Sequence, residues 1–164
     1  MTLTAYGIKV RLYLAGVGKA LIDWGDGTER ETYSLPPYDE KSLDFDDKIE
    51  HIFPEVSEYM LTIVGENITR FDCSGRYLSQ LDVSSNAALV YLNCSDNRLT
   101  ELDVSNNVAL KILECGENQL TALDVRCNTA LKILYCAKNQ LTTLDVCKNT
   151  ELLKCDIITQ IQHG

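Results

Sequence analysis

The chain has 164 residues, of which 45% are hydrophobic, and carries a formal net charge of -9. That length admits one domain or two small ones. The acidity, with no basic stripe, excludes a protein that binds nucleic acid through phosphate contacts and the counterions they release.

Residues 1–65 hold 12 Asp and Glu against 6 Lys and Arg, and residues 66–164 hold 12 against 9, so the acidity is concentrated at the front. The opening stretch from Met1 to Arg11 lacks the basic region, apolar core and small-residue cleavage site of a signal peptide. No run approaches the ~18 apolar residues of a spanning helix, so no membrane insertion is expected. The compartment stays open, because a mature fragment given a new Met would read the same way.

Residues 6–14 alternate apolar and polar with period two, which predicts a half-buried strand ended by Gly16 and Gly18. Ala20 to Trp24 reads as a second strand. It runs into Gly25-Asp26-Gly27-Thr28, a turn in which glycines permit positive φ and Asp can bond its own backbone. Glu29 to Tyr33 predicts a third strand, broken by Pro36 and Pro37, and the acidic stretch Asp39 to Asp47 reads as a surface loop. Lys48 to Phe53 and Tyr59 to Val64 predict two more strands, punctuated by Pro54 and Gly65. Five short strands with turns between them fit a small β-sandwich.

From residue 68 the grammar changes to a 21-residue repeat, which announces a solenoid. A half-repeat at 68–77 precedes full units at 78–98, 99–119 and 120–140, and a degenerate one at 141–164. Each unit divides into two similar halves, Leu-x-x-Leu-Asp-Val-x-x-Asn-x-x and Leu-x-x-Leu-x-Cys-x-x-Asn-x. In the second half, period two sends Leu92 and Cys94 inward and Tyr91, Asn93 and Ser95 outward. Coils stack about 4.8 Å apart as a parallel sheet, so equivalent positions form ladders. Two strands and two bends take most of the 21 residues, which leaves little room for a helix. The fold class expected is mostly β, a small sandwich over residues 1–65 followed by a parallel-strand solenoid over residues 66–164 with few or no helices.

Seven cysteines raise the question of disulfides or zinc, yet Cys73, Cys94, Cys115 and Cys136 recur at strict 21-residue spacing with no Cys-x-x-Cys pair. They occupy inward positions, where free Cys packs as a small hydrophobe. Cys127 and Cys147 fall on the polar bend one position out of step, where a disulfide between them is conceivable but geometrically demanding. Asn97, Asn118 and Asn139, and on the other half Asn86, Asn107, Asn128 and Asn149, are placed to bond backbone groups in the bends. Asp82, Asp103, Asp124 and Asp145 stack one per coil, where like charges about 5 Å apart repel by roughly 0.8 kcal/mol per pair even in a water-like dielectric. Local hydrogen bonding compensates best; a Ca²⁺ ion is the alternative. Asp23 and Asp26 fall short of an EF-hand loop and read as a structural turn. His51 and His163 are far apart, and no nucleophile or phosphate motif is present. No catalytic set and no cofactor is implied.

Ile22-Asp-Trp-Gly-Asp-Gly-Thr28 with His51-Ile-Phe-Pro54 and Glu58-Tyr-Met-Leu-Thr-Ile-Val64 resembles the PKD domain. This head is short for that family, and so small a unit is expected to lean on the neighbouring coils for core burial. The repeats resemble leucine-rich repeats, and in their Leu-Asp-Val plus Leu-x-Cys form those of internalin-like bacterial surface proteins. The resemblance implies a cell-surface or secreted setting and binding of a protein or carbohydrate partner on the outward face of the main sheet. Its rows read Arg70, Tyr91, Ile112, Ile133, Lys154 and Asp72, Asn93, Glu114, Tyr135, Asp156. The partner-binding residues expected are therefore Tyr91, Asn93, Ile112, Glu114, Ile133 and Tyr135, an apolar and aromatic stripe edged by charge. β-Branched and aromatic residues also simply suit strands, so a structural spacer with no ligand of its own is the competing reading. The last coil lacks a recognisable polar cap, and such an edge would favour pairing into an oligomer or truncation of a longer protein.

Overall fold

A computed structural model of the chain describes residues 1–38 and 48–156. The stretch Asp39 to Asp47 and the tail from Ile157, which includes His163, lie outside the described residues. Among the described residues there is no helix, and ten strands run in chain order as β1 (Thr2–Val17), β2 (Lys19–Asp23), β3 (Glu31–Ser34), β4 (Lys48–Val64), β5 (Asn67–Asp72), β6 (Gln80–Asp82), β7 (Tyr91–Asn93), β8 (Ile112–Glu114), β9 (Ile133–Tyr135) and β10 (Lys154–Asp156). They join one sheet in the order β10-β9-β8-β7-β5-β1-β4-β2-β3, with β6 on a second branch from β1.

The strands expected at Lys48–Phe53 and Tyr59–Val64 are one element, β4. It pairs antiparallel with β1 from Thr2↔Thr62 to Tyr13↔Lys48, and the register shifts between Gly7↔Ser57 and Lys9↔Ile52. Residues Phe53 to Val56 thus bulge opposite Ile8. Pro54 sits in that bulge, where a missing N–H costs no ladder bond, so the proline bends the strand without ending it. β1 likewise runs on through Gly16, past the end expected for it. A Cβ at Gly16 would lie 2.0 Å from the carbonyl oxygen of Asn67, so glycine is the residue that lets the two backbones approach there.

β1 sends its other edge to two places. Thr2 to Thr4 pair with Gln80 to Asp82 of β6, and Tyr13 to Val17 pair with Asn67 to Asp72 of β5. One strand therefore meets both halves of the first coil. The cores merge accordingly: Leu3, Leu12, Ile22, Trp24, Leu61 and Ile63 of the head share one buried cluster with Phe71, Leu92, Leu113 and Leu134 of the coils.

The repeat sheet is parallel and in register coil by coil, Arg70↔Tyr91, Tyr91↔Ile112, Ile112↔Ile133 and Ile133↔Lys154. Inside it, Cys73, Cys94, Cys115 and Cys136 are free and buried. Asparagine closes each bend. Asn118 donates through Nδ2 to the carbonyls of Cys94 at 2.9 Å and Cys115 at 3.2 Å, while its Oδ1 accepts from the Leu99 N–H at 3.0 Å. Asn128 on the opposite bend donates to the carbonyls of Val104 and Asn107, both at 2.9 Å. Each amide thus ties a coil to the one before it and satisfies buried carbonyls that no strand partner reaches.

The residue before Arg76 in the first coil, and before the bend asparagine in the later ones, is left-handed: Gly75 at φ 65, Asp96 at 54, Glu117 at 54 and Lys138 at 57. Only the first of these is the residue that adopts the region without strain. Glu117→Gly is expected to raise stability by about 0.5–1 kcal/mol, even though it removes the exposed Lys138–Glu117 pair, which is worth little. Asn118→Ala strands several buried backbone groups and is expected to cost roughly 2–4 kcal/mol. Urea denaturation of both variants checks the pair of signs.

Candidate functional site

The outward face of the repeat sheet brings the six expected residues together in two rows, Tyr91-Ile112-Ile133 and Asn93-Glu114-Tyr135. They do not share one environment. Tyr91, expected to be open, is only 5% exposed, because the Arg70 guanidinium lies 4.0 Å from its ring centroid and Tyr38 reaches Arg70 from the head, at 5.7 Å. The Tyr91 hydroxyl donates to Glu114 Oε1 at 3.2 Å. Burial pushes the Glu114 carboxyl above its ordinary value, against the lowering effect of that hydrogen bond, and burial likewise raises the Tyr91 phenol. Asn93 is half-buried and bonded along its own row, with Nδ2 3.4 Å from Asp72 Oδ2 and Oδ1 accepting from the Ser95 N–H at 3.0 Å. The upper half of the face, β5 and β7, is therefore an internally bonded network.

The lower half, β8 to β10, is open. Ile112, Ile133 and Tyr135 are half-buried, and Lys154 places its ammonium 4.8 Å from the Tyr135 ring centroid. A shallow groove of about 200 Å³ lies here, lined by Tyr38, Lys111, Ile112, Lys132, Ile133 and Leu153. Leu153 is 83% exposed. Lys111, Lys132 and Leu153 occupy one repeat position just before the expected row, so extending the register by a single residue would have found them. Tyr38 carries no such signal, since it arrives from the head.

The opposite half of each coil carries the aspartate ladder. Asp82, Asp103, Asp124 and Asp145 accept from the N–H two residues on, at Ser84, Ser105, Arg126 and Cys147, over 2.8 to 3.0 Å. These turns are the local compensation expected for stacked carboxylates. Hydrogen bonds from Ser84 and Ser105 lower the pKa of Asp82 and Asp103, and those from Arg126 bring Asp124 down to about 2. Among the described residues no group of three His, Cys, Asp or Glu side chains is placed to hold a metal ion. Cys127 and Cys147 are exposed free thiols.

No family model matches the chain, and no curated protein is similar to it. A solved structure, the functional domain of InlJ from Listeria monocytogenes, described as including a cysteine ladder, is 35% identical over 54% of this chain, with a TM-score of 0.42. This chain spans 24% of that structure's length.

The remaining candidates, Asp23, Asp26 and His51, meet at one turn in the head. Asp23 accepts from the Gly25 N–H at 3.1 Å and pairs with Arg30 at 2.9 Å. Gly25 has φ 74, and a Cβ there would sit 2.2 Å from the carbonyl oxygen of Met60, so the turn packs its bare backbone against β4. Asp26 accepts from the Thr28 N–H and hydroxyl at 3.0 and 2.6 Å, and His51 Nε2 lies 2.7 Å from its Oδ2. A carboxylate only accepts, so Nε2 carries the hydrogen. The His51 ring stacks on Trp24 at 4.5 Å and meets the edge of Phe53, which stacks on Tyr59 at 4.0 Å. His51 is thus held on both nitrogen and ring, a structural group tying the turn to β4.

The Asp26 side chain is 1% exposed. Burial works to raise its pKa, but the hydrogen bonds from Thr28 and His51 outweigh it and bring the group from 3.8 down to about 2. A carboxylate depressed on folding stabilises above its unfolded value and loses that contribution as pH falls through the folded one. Asp26→Asn is therefore expected to lower stability at neutral pH by roughly 1–3 kcal/mol. Thermal melts of wild type and variant should converge as pH drops from about 4 to about 2.

Proposed function

We propose that this chain is a protein-binding module and that the open lower half of the repeat sheet is its contact surface. The observation that carries this is the groove in which Ile112 and Ile133 form an apolar floor between Tyr38, Leu153 and the lysines of the preceding row. Apolar and aromatic groups in a mobile-charge rim are the composition of a contact patch, and the strands beneath hold the floor rigid. Tyr91, buried under Arg70, borders the surface on the adjacent strand. Of the expected residues, Ile112, Ile133, Tyr135 and the rim carboxylate Glu114 make direct contact. Setting and partner follow the same line: the repeats resemble those of bacterial surface proteins, and a protein partner with an apolar segment flanked by acidic residues fits Lys132 and Lys154 at the rim.

The test uses a partner cross-linked to the native chain, identified, purified and titrated against variants. Ile133→Glu, which places a charge on the floor at a half-buried position, is expected to weaken binding at least about tenfold with the melting temperature little changed, as burying an unpaired charge at an interface does. Val108→Glu, at an exposed site away from the groove, should leave binding as it was. Unchanged affinity for Ile133→Glu would assign the solenoid the role of a spacer.

A further inference from the structure

Between its two solenoid partners, β1 leaves residues 5–12 without a strand neighbour on that edge among the described residues. The first bend of the solenoid comes up against this gap. Ser79 donates its N–H to the Thr4 carbonyl at 3.0 Å, and Arg76 Nε donates to the Arg11 carbonyl at 2.7 Å. A cavity of about 210 Å³ opens at the seam, lined by Lys9, Arg11, Gly75, Arg76 and Tyr77.

This seam is cationic on a chain whose net charge is -9. Lys9 and Arg11 lie 2.7 and 2.6 Å from Glu50, and Lys48 lies 3.9 Å from it. Arg98 stacks over the Tyr77 ring at 5.0 Å, and Arg76 completes the set. Against these five cations stand Glu50, Asp96 beside Gly75 and, at the far end, Glu58 held by the Ser79 hydroxyl at 3.1 Å.

The backbone is strained at the same place. Tyr77 has φ 55, outside the 21-residue series of left-handed positions, and a bulky side chain in that region is an outlier. Asn97 Oδ1 accepts from the Leu78 N–H at 2.9 Å, as its counterparts do in later coils, and here also from the Arg76 N–H at 3.0 Å, the bond that sets this bend apart. The Tyr77 ring is thereby held 59% exposed at the cavity, with Arg98 against it. Arg76 spends Nε on Arg11 and one terminal nitrogen on the Gly75 carbonyl at 2.9 Å, which fixes its plane. Its second terminal nitrogen and both terminal nitrogens of Arg11 make no hydrogen bond among the described residues.

We propose that this seam binds a carboxylate of an acidic peptide segment, gripped between the Arg11 and Arg76 guanidinium groups, with Lys9 and Arg98 as flanking charges. The Arg76 fork is held at two nitrogens and the Arg11 fork is anchored at Nε by Glu50, and guanidinium forks match carboxylate geometry. A peptide is favoured because the cavity borders the edge of β1 that has no strand neighbour among the described residues, which offers an extended segment backbone partners. This site lies apart from the groove at Ile112 and Ile133, and the two stand or fall separately.

The test is an NMR titration of the full isotope-labelled chain with a hexapeptide of alternating Asp and Gly, its Asn-Gly counterpart and tetragalacturonate. The Asp peptide is expected to shift the Arg11 and Arg76 side-chain N–H signals and the Gly75 to Tyr77 amides, with affinity falling about tenfold in Arg11→Gln or Arg76→Gln and falling again in about 0.3 M salt. Should Arg76→Gln disturb the bend, Arg11→Gln, on an exposed strand face, decides alone. Equal shifts with the Asn peptide, no shift at millimolar Asp peptide, or insensitivity to Arg11→Gln overturns the site. Tighter binding of tetragalacturonate overturns the peptide and assigns the seam to acidic glycans.

Discussion

β1 pairs with β4 along one edge and with both halves of the first coil along the other, and the rest of the molecule depends on that arrangement. A solenoid coil cannot bury its own apolar interior, and a terminal coil needs something stacked on it. Here the head supplies that surface directly: Leu12 and Leu14 on one half of β1 and Leu3 on the other lie in the same cluster as Phe71, Leu78 and Leu81. The head in turn is small enough to be marginal on its own. Each part covers the apolar face that the other exposes, and the strand that joins them satisfies the backbone of both.

Beyond the first coil, stability is passed on by repetition. Leu92, Leu113 and Leu134 repeat one side chain per coil beside a repeated, buried cysteine, and the bend asparagines tie each coil to the preceding one. Every inward position is thereby committed to packing. Variation is confined to outward positions, where Tyr91, Ile112 and Ile133 follow one another in a single row and Asn93, Glu114 and Tyr135 in the next. This division leaves the outer face free to vary, while the part of it nearest the head, crossed by Arg70 and Tyr38, is held by internal contacts.

What the sequence made legible is what obeys the 21-residue period. Row register, the inward cysteines, the asparagine bends and the local bonding of the aspartate ladder all follow from spacing and from the chemistry of Asn and Asp in turns. What it hid depends on contacts between distant segments. Pro54 looked like a break, but four residues accommodated opposite Ile8 let β4 continue. Tyr91 looked outward by alternation, and alternation was right; its burial comes from Arg70 above it and Tyr38 from the head. The sequence does show Arg76 where the later coils have asparagine; what it hides is the consequence, a further bond from the Arg76 N–H to Asn97 and a left-handed Tyr77.

Native-state hydrogen exchange tests the central claim, that β1 makes head and first coil one cooperative unit, most directly. Amides of Tyr13 to Val17 in β1, Ile63 in β4 and Phe71 in β5 should open with one common free energy, and protection should fall coil by coil from β7 to β10. If the coils from β7 to β9 keep full protection in an opening that exposes β1, the solenoid stands without its head and the account fails.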